Sequence, residues 1–441
     1  MKDRIATSHS RRLILIELNE INFDLVKRYA DTRRFPAFEK LFAGLGVRTS
    51  AEKDYESLEP WIQWPSVHSG LTAREHNIFR LGDVVGGKIP QMFEQLEQKG
   101  FTVGCISAMN AENRLNAPAY FVPDPWTKTN PDKSWWSRVL TEAVAQTVND
   151  NAQSRISAKS ALHFALGLLR FAQPKHYRLY WRLASKSRGA PWRKALVLDL
   201  LLHDLHMQLF MSHRPDFSTL FLNAGAHIQH HYFFNAQPIR QESQLRNPKW
   251  YVSQDADPIA EMLDIYDRIL DEYLTLQNTD VIVATGLSQR PYDRLKYYYR
   301  LKEHAAFLRL LGINFCAVLP RMTRDFLVEF ETPQQATIAE QRFASIKITG
   351  SDESLFGDID NRGSSLFVTL TYPKEIDATV AFELGGCQHP LAPHVAFVAI
   401  KNGMHQEEGF AFFTQGVAPY APKDKEHVKS LYSTVMQYFA V

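Results

Sequence analysis

Phe217-Ser218-Thr219-Leu220-Phe221-Leu222-Asn223-Ala224-Gly225-Ala226-His227-Ile228-Gln229-His230-His231 reads as a buried strand running straight into a small-residue turn that carries three imidazoles. The apolar run Phe217 to Leu222 is the kind that fills a sheet covered on both faces. A helix is expected to start near residue 226. Open α/β sheets put their chemistry at the carboxyl ends of their strands, and imidazoles placed there serve as metal ligands or general bases. The plainer alternative is that these histidines cap or pack the helix.

The rest of the chain supplies companions for that strand. Leu13-Ile14-Leu15-Ile16-Glu17-Leu18-Asn19-Glu20 is a second near-continuous apolar run that turns abruptly polar, so Glu17, Asn19 and Glu20 fall at or just past its carboxyl end. The pattern after it predicts one helix over 23–42, stopped by Gly44 and Gly46. A helix near 89–96 leads into a strand over 101–107, and the helical spacing of 260–270 leads into a strand over 280–286. Such alternation implies an α/β fold with a doubly wound, mostly parallel sheet. Two stretches break the rhythm. Residues 134–213 read as a helical insert. Residues 320–384 read as a small α+β cap, with strands at 326–330, 345–348 and 366–370 and a helix over 333–343. The sheet is expected to resume at 395–400 and 410–413, and a helix near 425–439 closes the chain. The core is thus divided among 1–133, 214–319 and 385–441.

With 441 residues, 45% of them hydrophobic and 22% charged, the chain can bury a large core. A net charge of +2 gives no global field that would favour nucleic acid. The opening residues lack the apolar core of a signal peptide, and no apolar run is long enough to span a bilayer. Cys105, Cys316 and Cys387 lie far apart and fit reduced thiols rather than a disulfide frame or zinc knuckle. These features predict a cytoplasmic protein.

Four segments then stand in a telling order. They are Pro36-Ala37-Phe38-Glu39-Lys40-Leu41, the stretch from Trp64-Pro65-Ser66-Val67-His68-Ser69-Gly70 to His76-Asn77-Ile78, the turn from Asn223 to His227, and Gly403-Met404-His405-Gln406-Glu407-Glu408-Gly409. Together they resemble the alkaline phosphatase superfamily, and within it the type I phosphodiesterase and nucleotide pyrophosphatase branch. The resemblance implies phosphate or sulfate ester chemistry, with cations stabilising the attacking and leaving oxygens and a Thr or Ser nucleophile. Carried over position by position, it makes Glu17, Asn223, His227 and His405 the metal set, with Asn19 the alternative to Glu17 in the first strand. Asn223 is a neutral, weaker oxygen ligand where the family has Asp. Thr285-Gly286-Leu287-Ser288 stands where the family has Ser-Asp-His-Gly, so two further ligands are missing. What remains implies one divalent cation (zinc, manganese or magnesium), or equally none. The family's nucleophile position falls near Pro60, which leaves Ser57 and Ser66, with Glu59 and His68 beside them, as catalytic candidates. Asn19, Glu20, Gln63, His230, Ser288 and Gln289 are expected to line the substrate cleft, and His76 takes no catalytic role.

From Asn151 to Leu198 there is no Asp or Glu, but Arg155, Lys159, Arg170, Lys175, Arg178, Arg182, Lys186, Arg188, Arg193 and Lys194 are interleaved with aromatic and leucine residues. That composition suits an anionic membrane surface or a phosphorylated glycan carrier, with a solvated helix face as the plain alternative. Nucleic acid is not expected, since no recognition module accompanies the patch. Three functions follow. The first is a phosphatase-like hydrolase or transferase acting on a phosphate or sulfate ester, with a glycan- or lipid-linked substrate, peripheral at the inner membrane face. The second is a catalytically degenerate relative that binds glycan or assists assembly. The third is a metal-free enzyme using His and Glu as acid and base.

Overall fold

The computed structural model describes residues 12–30, 32–153, 158–321 and 324–441, and within them every side chain except those of 146–153, 158–161 and 164. The strands are β1 (Arg12–Leu18), β2 (Leu45–Ser50), β3 (Val103–Ile106), β4 (Tyr120–Val122), β5 (Phe217–Leu222), β6 (Thr279–Ala284), β7 (Ser288–Leu301), β8 (Ala317–Pro320), β9 (Asp325–Glu329), β10 (Phe356–Asn361), β11 (Ser365–Leu370), β12 (Ala381–Leu384), β13 (Cys387–Pro390), β14 (Val395–Gln406), β15 (Glu408–Phe413) and β16 (Glu426–His427).

Eight of them form a central sheet in the order β16-β2-β15-β6-β1-β5-β3-β4. β1 lies between β5 and β6 and runs parallel to both, with Leu18 opposite Leu222 and Glu17 opposite Ala284. β3 and β4 continue the parallel side, whereas β15 enters antiparallel between β6 and β2. This is the doubly wound, mostly parallel α/β architecture. Strand alternation builds its two cores. Ile14, Ile16 and Leu18 pack on one face with the helices Ala224–Tyr232 and Pro258–Leu274, while Leu13 and Leu15 pack on the other with Trp64 and Phe93. Each such aliphatic side chain, fully buried, contributes about 1.5–3 kcal/mol, so covering both faces holds the sheet. A third core lies under the antiparallel sheet β10-β11-β9-β8 and the helix Pro333–Ser345.

Four expectations are corrected. The helix over 23–42 is two helices, Phe23–Arg28 and Pro36–Ala43, because Pro36 starts the second and holds Phe35 at φ −128°, ψ 88°, outside the helical region. The 395–400 segment does not rejoin the central sheet: it belongs to β14, which pairs with β7 in a separate antiparallel ribbon. Its apolar residues pack on the third core instead. The strand at 345–348 reduces to isolated bridges at Lys347 and Ile348. The closing helix begins only at Ser430, since β16 takes up the residues before it.

Residues 134–213 form the helices Trp135–Gln153, Ala158–Phe171, Tyr177–Ser185 and Trp192–His213. A buried polar network fastens this segment to the core. His176 Nδ1 is 2.7 Å from Asp204 Oδ1 and its Nε2 is 3.0 Å from Glu272 Oε1, while His203 Nε2 is 3.1 Å from Glu272 Oε2.

Candidate functional site

The site forms where β1, β5 and β6 end side by side. Asn19 donates its backbone N–H to the Leu222 carbonyl at 3.1 Å, and Glu20 donates its own to the Thr285 carbonyl at 3.1 Å. The chain leaving β1 is thereby tied to the ends of both neighbours. Glu20 takes a left-handed conformation, φ 61°, uncommon for a residue with a side chain. Its carboxylate, almost wholly buried, meets two imidazoles: Oε2 lies 3.1 Å from His230 Nε2 and 3.0 Å from His405 Nε2. The two Nε2 atoms are 3.2 Å apart.

Each partner is positioned by a different element. His230 sits on the helix Ala224–Tyr232 that follows β5. Its Nδ1 is 3.1 Å from the Gly403 carbonyl, so Nδ1 carries the proton and Nε2 presents a lone pair toward Glu20. His405 lies on β14 directly opposite Gln289 of β7. Gln289 donates its amide to Glu20 Oε2 and to the Ala226 carbonyl, locking ribbon, turn and helix together. Glu59, at the start of the helix Pro60–Ser69, places Oε2 3.5 Å from His405 Nδ1.

The electrostatics follow from burial and charge. Burial alone would raise the Glu20 carboxyl, but the charge of His405 overrides it and holds it well below the ordinary carboxylate range. Burial works against a charged His405, yet Glu20, with Glu59 behind it, raises its pKa. His230 is lowered to about 4 by burial and by Lys401, so it is neutral at pH 7. Glu59 is pushed up to about 7 by burial and the charge of Glu20. Lys401 is lowered to about 8 by burial, with Arg324 and Lys296 pressing on it in the same direction.

Two neutral or displaceable imidazole nitrogens and one carboxylate oxygen form a donor set that suits zinc and allows manganese. Their mutual distances of 3.0, 3.1 and 3.2 Å match the edge of a ligand tetrahedron, about 3.3 Å for bonds of ~2.0 Å. A second group, His176, His203 and Asp204, also brings its ligand atoms within 4.8 Å of one another. There Asp204 already accepts from Gln173 N (2.8 Å), Gln173 Nε2 (3.0 Å) and Tyr180 OH (2.9 Å), as a structural pin would.

The residues expected from sequence distribute as follows. Glu20, His230, His405, Glu59 and Gln289 come together. Asn19 and Asn223 adjoin them, with Asn19 Nδ2 3.0 Å from Glu20 Oε1 and 2.8 Å from Asn223 Oδ1. Of the expected metal set, only His405 belongs to the converging group. Glu17 projects to the opposite side of β1, where Oε1 accepts from Thr219 Oγ1 at 2.8 Å and lies 3.0 Å from His68 Nε2. His68 is therefore a core partner of Glu17, stacked near Trp64 and Phe93. His227 is exposed and packs against His231 with ring centroids 4.8 Å apart.

Ser66 is fully buried, 3.0 Å from His76 Nε2. His76 Nδ1 accepts from the Ile78 N–H at 3.0 Å, so its Nε2 carries a proton and donates to Ser66. An imidazole that donates to a hydroxyl cannot deprotonate it, which removes the basis for Ser66 as nucleophile. Ser57 lies in the turn Tyr55–Ser57, its carbonyl accepting from Gln63 Nε2 at 2.8 Å, so Gln63 serves that turn. Ser288 donates to the Glu408 carbonyl and accepts from Gln406 Nε2 at 2.8 Å, bracing the end of the ribbon.

No family model and no curated protein matches the chain. Among solved structures it is similar to a phosphonoacetate hydrolase from Sinorhizobium meliloti 1021 in complex with phosphonoacetate, at 11% identity, covering 97% of this chain and 96% of that one, with a TM-score of 0.45. It is also similar to murine ectonucleotide pyrophosphatase/phosphodiesterase 5 at 10% identity, covering 98% and 95%, TM-score 0.40. A third is the alkaline phosphatase of Thermus thermophilus, at 10% identity, covering 99% and 95%, TM-score 0.43. At this level of likeness the chemistry has to be read from this chain's own side chains.

Proposed function

We propose that this protein hydrolyses or transfers a phosphate- or sulfate-ester group at a site that holds one divalent cation on Glu20, His230 and His405. The observation that carries the proposal is the triangle of donor atoms, 3.0–3.2 Å on each edge, with His230 fixed in the ligating tautomer by the Gly403 carbonyl. A cation bound there would supply positive charge for an ester oxygen and acidify a bound water. The chain does the rest. Gln289 holds the Glu20 carboxylate, Glu59 steadies His405 from behind, and Lys401, Lys296 and Arg324 give the cleft a positive potential that favours an anionic group. Among the described residues no Ser or Thr hydroxyl is hydrogen-bonded to the three ligands, so water is the nucleophile in this proposal. A phosphorylated or sulfated glycan, or a lipid-linked ester, is the substrate class.

Elemental analysis of the purified protein, with turnover of a chromogenic phosphate diester and a sulfate ester, tests this reading. His230→Ala and His405→Ala should each lose the cation and the turnover. The contact between His405 and Glu59 favours a second reading, acid–base catalysis without metal. Turnover that survives exhaustive chelation would establish that alternative. A bound cation with no turnover on either ester would support a binding or assembly role.

A further inference from the structure

We infer that the helix Tyr177–Ser185 and the exposed side of the helix Ala158–Phe171 dock this protein on an anionic phospholipid surface. Tyr177 and Trp181, four residues apart and so on one helical face, are 55% and 76% exposed, while Tyr180 and Leu183, on the flank turned inward, are buried in the core. On the neighbouring helix Leu162 and Leu169, seven residues apart, are 58% and 81% exposed. Large apolar side chains on these two helices thus stand exposed among the described residues.

The two helices themselves carry charge of one sign, with no Asp or Glu in either. Lys175 pairs with Glu272 at 2.7 Å and Arg193 with Glu261 at 2.8 Å, and Arg182 feels Asp264. Arg170, Arg178, Lys186, Arg188 and Lys194 have no carboxylate partner among the described residues and all are exposed. The first acid after this stretch, Asp199, is buried and bonded to Tyr266 OH at 2.6 Å, so it does not offset the field outside. Exposed Trp, Tyr and Leu on helices that also carry Arg and Lys without a carboxylate partner among the described residues match a bilayer interface, where aromatic rings sit at headgroup depth and cations meet anionic lipid. A nucleic acid would satisfy the cations but leave Leu162 and Leu169 in water. The inference is independent of the cation site.

Co-sedimentation of the full chain with phosphatidylcholine vesicles, with and without phosphatidylglycerol, tests it. Binding should be roughly tenfold or more stronger with the anionic lipid and should fade at high salt. The variant Leu169→Ala/Trp181→Ala should weaken binding, and Arg178→Gln/Lys186→Gln/Arg188→Gln should abolish the preference for anionic lipid. Both change solvated positions and should leave the melting temperature unchanged. In wild type, anionic vesicles should shift tryptophan emission to the blue, and Trp181→Phe should remove that shift. Equal partition onto neutral vesicles would overturn the inference. So would RNA binding that outcompetes vesicles and is insensitive to Leu169→Ala/Trp181→Ala.

Discussion

Glu20 is a buried carboxylate whose charge is retained because the His405 imidazole and the Gln289 amide face it. Glu20→Gln keeps its shape and removes that charge, so bound cation should fall from one equivalent toward none by elemental analysis. Gln289→Ala leaves the ligands but frees the carboxylate to turn. It should weaken cation affinity about 10–100-fold, the usual effect of losing an outer-shell partner. Ser66→Ala separates two readings of the His76 neighbourhood. Because His76 donates to Ser66, turnover should persist while stability falls by about 1–2 kcal/mol, measured by denaturant unfolding.

Among the elements, the helix Ala224–Tyr232 carries His230, and its position depends on close packing at Gly225. A methyl group there would lie 2.2 Å from Ile21 Cδ1 and 3.1 Å from the Tyr266 ring. Gly225→Ala should cost roughly 1–3 kcal/mol and also weaken cation binding, because the helix must shift. The pin at His176 has its own signature. Burial opposes its charge, but Asp204 and Glu272 raise its pKa to about 9. Since the folded value lies above the unfolded one of about 6.5, the pin stabilises fully below that pH and its contribution is lost as pH rises through about 9. Wild type should therefore exceed His176→Gln by about 1–2 kcal/mol at pH 6, and the gap should narrow at pH 10.

For the whole molecule, a cation that binds only the folded chain stabilises it by mass action. At a hundredfold excess over its dissociation constant the gain is about 2.7 kcal/mol, which should appear as a melting temperature raised by a few degrees and reversed by chelator. The Glu20→Gln protein should show no such shift. Much of the architecture was legible because Leu13–Leu18 and Phe217–Leu222 are largely apolar, the pattern of strands buried on both faces. The ribbon of β7 and β14 was not. Its partly exposed residues carry no mark of which strand they pair with, and the segment at 395–400 reads like a return to the central sheet.

By itself, the sequence determined that polar groups would gather at the carboxyl ends of adjacent parallel strands, since each apolar run stops where Asn19, Asn223 or Thr285 begins. Tertiary structure decided which of those groups meet. Pleating sends Glu17 to the His68 side, while the left-handed turn after β1 brings Glu20 to the cleft. Helix rotation chooses His230 over His227, although both lie within one turn of each other. His405 arrives only through the register that sets it opposite Gln289. Residue spacing along a chain fixes periodicity, but a site depends on the relative placement of several elements, and that is settled by how they pack.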